Sequence, residues 1–342
     1  MDPAAFDYEL PVDRIAQRPV EPRDAARLLV DRGPGAAPAD RHMTDLPDLI
    51  GPGDVLVVND TRVLPARLLL RKATGADVEV LLLEPLASGW EALVKPSRKV
   101  APGTVLELRS GEPTLTVVVG DDLGEGRRQV RLVSPVDDMT ALARHGQIPL
   151  PPYIQGQLDD PERYQTVYAA RAGSVAAPTA GLHLTPQVLD RCIERGASVH
   201  RVELVVGLGT FRPITADRLE AHQMHAERYV VPDETVAACE SATRVIAVGT
   251  TTVRALESAA ASGERTGRTE LFIHGAYDWR VVDLMLTNFH VPRSSLLVMI
   301  DAFIGPRWRA MYDHALASGY RFLSFGDAML LQRDPDRPSR PA

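Results

Sequence analysis

Gly51-Pro-Gly-Asp-Val-Leu-Val-Val-Asn-Asp-Thr-Arg62 sets a turn, an apolar run and a polar cluster side by side. The short apolar run, Asp54–Asn59, bounded by Gly51-Pro-Gly53, reads as a buried strand that ends in polar residues. The texture then changes. Short β-rich runs recur at Ala66–Leu70, Val78–Glu84, Trp90–Val94, Val105–Leu108, Leu115–Val119 and Gln129–Val133. Turn formers separate them, among them Thr74-Gly75, Ser88-Gly89, Pro102-Gly103 and Ser110-Gly111. Short strands at this spacing predict a small antiparallel barrel or sandwich. A Pro-rich linker, Gly146–Ile154, closes the segment.

Beyond the linker, helical and strand patterns alternate. The predicted helices are Thr185–Arg195, Pro232–Thr243, Thr252–Ala261, Ser294–Phe303 and Trp308–Ser318. The predicted strands are Ser198–Val206, Val245–Val248, Val281–Thr287 and Arg321–Phe325. Such alternation implies an α/β fold with a mostly parallel sheet. The expected organisation is a discontinuous α/β catalytic domain at 1–64 and 150–342, with a β-barrel domain plus linker inserted at 65–149. The tail, Asp334–Ala342, is expected to fray.

Composition narrows the classes. The chain has 342 residues, enough for two domains, and its 45% hydrophobic and 24% charged content is that of a globular protein. Two cysteines, Cys192 and Cys239, rule out a disulfide-stapled scaffold and fit a reducing cytoplasm. No apolar run approaches the roughly 20 residues of a membrane span. The first residues are acidic and lack the apolar stretch of a signal peptide. The net charge of −7 gives no support for nucleic-acid binding by the whole chain. Its distribution is uneven. Between Arg62 and Ser134, 11 basic residues outnumber 9 acidic ones, a net of +2 that leaves −9 for the remainder. All the lysines lie there, and Lys95, Arg98 and Lys99 surround Pro96-Ser97 in a predicted loop. They are candidate phosphate contacts; ordinary surface charge is the other reading.

Five segments place polar residues between a predicted strand and a predicted helix, the edge where open α/β sheets bind ligands. Gly173–His183 leads to Thr185-Pro186, which has the form of an N-cap followed by proline. His183 beside it either titrates near neutrality or only ties the loop. In Val206-Gly-Leu-Gly-Thr-Phe211, Gly207 and Gly209 allow close backbone approach beside Thr210, but the third glycine of a dinucleotide fingerprint is absent. His222, His225 and Glu227 suit either a metal or a substrate, although the histidines lack the zinc-protease spacing. Thr250, Thr251 and Arg254 follow Gly249, where hydroxyls and helix N–H groups either hold an anion or simply cap; Arg254 and Glu257 are spaced to pair with each other. Thr287, Asn288, His290 and Arg293 gather in the fifth. Ser324-Phe-Gly-Asp327 is read the same way, with Asp327 near a helix start.

These segments also carry a resemblance. With Phe6–Pro11, Gly53–Arg62, Pro65-Ala-Arg67, Pro149–Ile154 and Tyr164–Tyr168, the stretches Ala177-Pro-Thr-Ala-Gly-Leu-His183, Gly207–Phe211, His222–Glu227, Gly249-Thr-Thr251, Thr287-Asn-Phe-His290 and Gly326-Asp327 stand in one order. The chain resembles the S-adenosylmethionine:tRNA ribosyltransferase-isomerases of queuosine synthesis over nearly its whole length. Leu184, where the family usually has Phe, and Gly275-Ala-Tyr277, near a usual Pro-Gly-Tyr, depart from the pattern.

The resemblance implies that S-adenosylmethionine gives its ribosyl part rather than its methyl group. The acceptor is the aminomethyl group of 7-aminomethyl-7-deazaguanine at the wobble position of tRNA. The product is epoxyqueuosine, with adenine and methionine leaving. No metal or other cofactor is implied beyond this cosubstrate, and a monomer with no membrane partner is expected. Chemistry, not the family, suggests the roles. His183, His290 and Asp327 are assigned to proton transfer. Gly207, Gly209, Thr210, Thr250, Thr251 and Arg254 are assigned to S-adenosylmethionine. Asp60, Arg62, Thr179, His222, His225, Glu227 and Asn288 are assigned to the base or ribosyl group, and Lys95, Arg98 and Lys99 to tRNA. Competing readings are a non-catalytic tRNA-binding module, a metal-dependent hydrolase built on His222, His225 and Glu227, and the same chemistry on a free deazaguanine.

Overall fold

The computed structural model describes residues 1–110, 114–156, 158–207, 214 and 216–335. The chain divides into two units. The larger comprises Met1–Thr61, Pro151–Arg171 and Ala177–Ala342; the smaller comprises Arg62–Leu150 and Ala172–Ala176. The strands in chain order are β1 (Arg27–Val30), β2 (Ala39–His42), β3 (Asp54–Asn59), β4 (Thr61–Val63), β5 (Arg67–Lys72), β6 (Asp77–Leu86), β7 (Gly89–Lys95), β8 (Val105–Leu108), β9 (Thr116–Gly124) and β10 (Arg127–Val133). After them come β11 (Arg171–Ser174), β12 (Ser198–Leu204), β13 (Glu227–Val230), β14 (Arg244–Val248), β15 (Thr266–Thr269), β16 (Leu284–Asn288) and β17 (Ala328–Gln332).

In the smaller unit, β10-β7-β6-β5-β8-β9 close into an antiparallel barrel. Its strands alternate buried and less buried residues, so Leu68, Leu70, Val78, Val80, Ala92 and Val94 fill the interior. All six β-rich runs of the sequence are strands of this barrel. The two short strands β4 and β11 pair with each other.

Among the described residues, the larger unit holds a nine-stranded sheet in the order β15-β13-β12-β3-β14-β16-β17-β1-β2. The central run β12-β3-β14-β16 is parallel. The margins are mixed: β13 and β15 run antiparallel, β17 is antiparallel to β16, and β1 parallels β17. Every residue of β3 is buried, as expected for a strand covered on both faces. Leu56, Val58, Ile246, Val248, Leu284 and Leu286 alternate onto one face and pack against Val188 and Cys192 of the helix Pro186–Glu194.

One predicted strand is wrong. Arg321–Phe325 is an irregular turn, and β17 follows it. Gly326 lies against the chain so closely that an added Cβ would stand 2.4 Å from the Arg321 carbonyl oxygen. Its aromatic rings pack into the core instead: Phe322 lies tilted 4.7 Å from Phe289, and Phe325 meets Tyr164 edge-on at 5.8 Å, between ring centroids. Asp327 therefore precedes a strand, not a helix. Strands β1 and β2 lie in the Pro- and Asp-rich first 50 residues, where no alternation announced them. Among the described residues, no helix is long and apolar enough to cross a membrane.

Candidate active site

A pocket in the larger unit opens at the carboxyl ends of the parallel strands. Val206 follows β12, Gly249 and Thr250 follow β14, and Thr287 and Asn288 end β16; all line it, with Ala177, Thr179 and Ala180 opposite. This is the position at which open α/β sheets hold ligands, because loops diverge there and leave a crevice.

The helix after β14, Thr250–Ser262, starts at Gly249, whose φ of +91° is a conformation that favours glycine. No side chain caps this end. Its first N–H groups therefore face the pocket end with the positive pole of the helix. Asn59, the last residue of β3, steadies the helix start. Its amide nitrogen donates to the Leu204 carbonyl at 2.9 Å and to Thr251 Oγ1 at 3.3 Å.

Asn288 is the polar centre. Thr179 Oγ1 donates to its Oδ1 at 2.8 Å, and its Nδ2 lies 3.0 Å from His183 Nε2. The same Nδ2 reaches the Asp327 carbonyl at 3.5 Å, which can only accept and so orients the amide. His183 Nε2 must then be the acceptor, with the ring proton on Nδ1. His290 lines the pocket, its Nε2 2.9 Å from Thr287 Oγ1, and its backbone N–H donates to Tyr312 Oη at 3.0 Å.

The two imidazoles do not titrate near neutrality as the sequence suggested. Burial, reinforced by the Arg321, Arg163 and Arg23 charges, pushes His183 down to about 3. Burial alone pushes His290 down to about 3. Both rings are neutral at pH 7. His183 also stands behind Asn288, outside the pocket lining. Asp327 is tied to the backbone: its carboxylate accepts from the Arg27 and Arg321 N–H groups at 3.0 and 2.8 Å.

Other expected site residues separate. The Glu227 carboxylate is buried, pairs with Arg254 and accepts from the Gly207 N–H at 3.0 Å. Arg254 also donates to the Leu271 and Thr269 carbonyls, so it does not pair with Glu257. Glu257 instead accepts from the backbone N–H groups of Arg280, Val281 and Val282. His222 packs edgewise on Phe272. Among the described residues no group of three or more His, Cys, Asp or Glu gathers to hold a metal, and Glu227 is engaged by Arg254. Asp60 is buried beside Arg171 and Arg201, and burial raises its carboxyl above the usual range. Arg62 belongs to the smaller unit, as do Lys95, Arg98 and Lys99, all three exposed. Gly209 and Thr210 lie outside the described residues.

Tyr153, Leu323 and Ser324 are among the pocket residues that were given no site role from the sequence. Tyr153 Oη and Ser324 Oγ meet at 2.6 Å on the pocket wall, and burial pushes the Tyr153 hydroxyl up to about 12. Leu323 beside them holds φ at +69°, rare for a bulky residue. The motif Pro149–Ile154 was the signal for Tyr153; its linker composition concealed it.

The sheet and its polar crevice define an α/β protein with a ligand pocket at the strand ends, carrying an antiparallel barrel in the same chain. The chain belongs to the queuosine biosynthesis protein family, whose model matches residues 3–331. It is 52% identical over 327 residues to the S-adenosylmethionine:tRNA ribosyltransferase-isomerase of Rubrobacter xylanophilus, covering 95% of this chain and 96% of the relative. It is 49% identical over 342 residues to the enzyme of that name from Thermus thermophilus, covering 96% and 98%. A crystal structure of S-adenosylmethionine tRNA ribosyltransferase from Thermotoga maritima is similar with a TM-score of 0.54 and 36% identity, over 95% of this chain and 99% of that one.

Proposed function

We propose that this chain transfers and isomerises the ribosyl moiety of S-adenosylmethionine onto 7-aminomethyl-7-deazaguanine at the wobble position of tRNA, releasing adenine and methionine. The observation that carries the reading is the meeting of three separate motifs in one pocket: Ala177–His183, Gly249–Thr251 and Thr287–His290.

In this reading the methionine carboxylate sits against the N–H groups of Thr250 and Thr251, where a helix start favours an anion. Asn288 and Thr179 face the ribosyl group. His290 acts as a neutral imidazole, offering a hydrogen bond to the charge that develops as adenine departs, as neutral histidines do in other sites. His183 and Asp327 position rather than react: one fixes the Asn288 amide, the other the Arg321 turn. The 65–149 segment is a separate barrel domain, and its Lys95, Arg98 and Lys99 hold tRNA phosphates. The reaction takes place in the cytoplasm, with the chain acting as a monomer and without a bound metal.

Adenine release, followed chromatographically, tests the proposal. Adenine should form only when S-adenosylmethionine and tRNA carrying the aminomethyl base are both present. Release with the free base alone would move the acceptor away from tRNA, and release with neither would make the chain a simple nucleosidase.

A further inference from the structure

The margin of the large sheet beside the pocket carries a basic face on an acidic chain. Arg201 and Glu203 alternate onto one face of β12. Arg228 of β13 reaches Glu203 from the neighbouring strand, and Arg268 of β15 stands opposite Arg228 in register. Arg171, the first residue of β11, lies 3.7 Å from both Asp60 and Glu203. Arg201 lies 4.0 Å from Asp60.

The two carboxylates are buried, whereas the arginine side chains of 171, 201 and 228 are 43%, 52% and 55% exposed. The cations therefore point outward over a sunken acidic floor. Three arginines, Arg171, Arg201 and Arg228, thus share two carboxylates on a chain of net charge −7. Arg228 and Arg268 stand directly opposite on neighbouring strands, Arg228 held by Glu203 and Arg268 donating to the Ala226 carbonyl at 2.8 Å. Asp60 Oδ1 is buried without a hydrogen-bond partner beneath the cluster. Asp60 follows Asn59, whose amide touches Thr251 at the pocket wall.

We infer that this arginine face receives the phosphate backbone of the RNA substrate and holds it at the pocket mouth. The inference rests on the tRNA reading above. Guanidinium groups suit phosphate oxygens because their donors match them in pairs, and each phosphate neutralised releases counterions. A face of this kind supplies affinity and register without reading sequence.

The test is binding of an anticodon stem-loop RNA across a salt series, with wild-type protein and with Arg201→Gln, Arg228→Gln, Arg268→Gln combined. The triple variant should bind at least tenfold more weakly at low salt. Its log–log salt slope should be shallower by about two to three, with S-adenosylmethionine affinity unchanged. The corresponding triple lysine variant should keep most of the slope. Unchanged RNA affinity and slope in the folded glutamine variant overturns the inference while leaving the tRNA reading intact. Failure of wild-type protein to bind the RNA at all overturns both. Arginine-selective chemical footprinting of wild-type protein decides the matter if the variants do not fold. RNA should protect Arg201, Arg228 and Arg268, and undiminished labelling of all three overturns the inference.

Discussion

Asn288 donates a hydrogen bond from Nδ2 to His183 Nε2 at 3.0 Å, joining two motifs 105 residues apart. The bond requires an unprotonated Nε2, and burial agrees by keeping the ring neutral. Wild-type His183 should therefore show no titration between pH 5 and 8 by NMR. Asn288→Asp places a carboxylate where the amide was, which attracts a proton onto Nε2 and should bring the titration into that window. A wild-type midpoint near 6.5 would contradict the buried, neutral assignment.

Both buried imidazoles also set an acid limit to stability. The unfolded chain takes up protons on these residues below about pH 6.5, while the folded rings refuse them until about 3. Stability should fall as pH falls through that window, by roughly 1.4 kcal/mol per pH unit for each ring. Denaturant unfolding at pH 7, 6 and 5 measures it. The double variant His183→Gln, His290→Gln should lose stability less steeply with acid, and an identical slope would show that other groups carry the effect.

Replacing His290 by Ala should slow the chemical step by roughly 10²–10⁴-fold with cosubstrate binding retained, the range in which a positioned proton-handling group contributes. The single-turnover rate of the wild type should show no inflection near pH 6.5 attributable to this ring, because it stays neutral throughout. A variant that turns over at the wild-type rate would remove His290 from the mechanism.

Thr251→Val removes the hydroxyl that accepts from Asn59 and stands at the pocket wall. Losing one such bond is worth about 1–2 kcal/mol, so the KM for S-adenosylmethionine should rise roughly 5–30-fold. The KM for tRNA should change little. An effect confined to tRNA would place the cosubstrate elsewhere.

In the barrel, replacing Lys95, Arg98 and Lys99 together by Ala should weaken tRNA binding and make its salt slope shallower by about two to three. Lys72 donates to the Lys99 carbonyl, which fixes the loop, so the change removes charge rather than fold. An unaltered slope would leave the arginine face of the large sheet as the phosphate contact.

The barrel strands were legible because each obeys a period of two and is bounded by turn formers. The strand β3 and the helix after Gly249 were legible for similar reasons. What local pattern hid was the product of tertiary packing. Arg321–Phe325 looks like a strand because its aromatics favour one, yet they fill the core from a turn. Arg254 and Glu257 have the spacing of a helical pair, but Glu227 and three backbone N–H groups outcompete that contact. The pocket motifs could be named in sequence, but the neutrality of His183 and His290 follows from burial, which spacing does not encode.

The most direct measurement uses S-adenosylmethionine labelled with carbon-13 either in its ribose or in its methyl group. Each is incubated with the protein and tRNA carrying 7-aminomethyl-7-deazaguanine, and the tRNA is digested for nucleoside mass spectrometry. The account predicts that the wobble nucleoside gains the ribose label in full and none of the methyl label. Transfer of the methyl label, or a wobble nucleoside of unchanged mass, would contradict it.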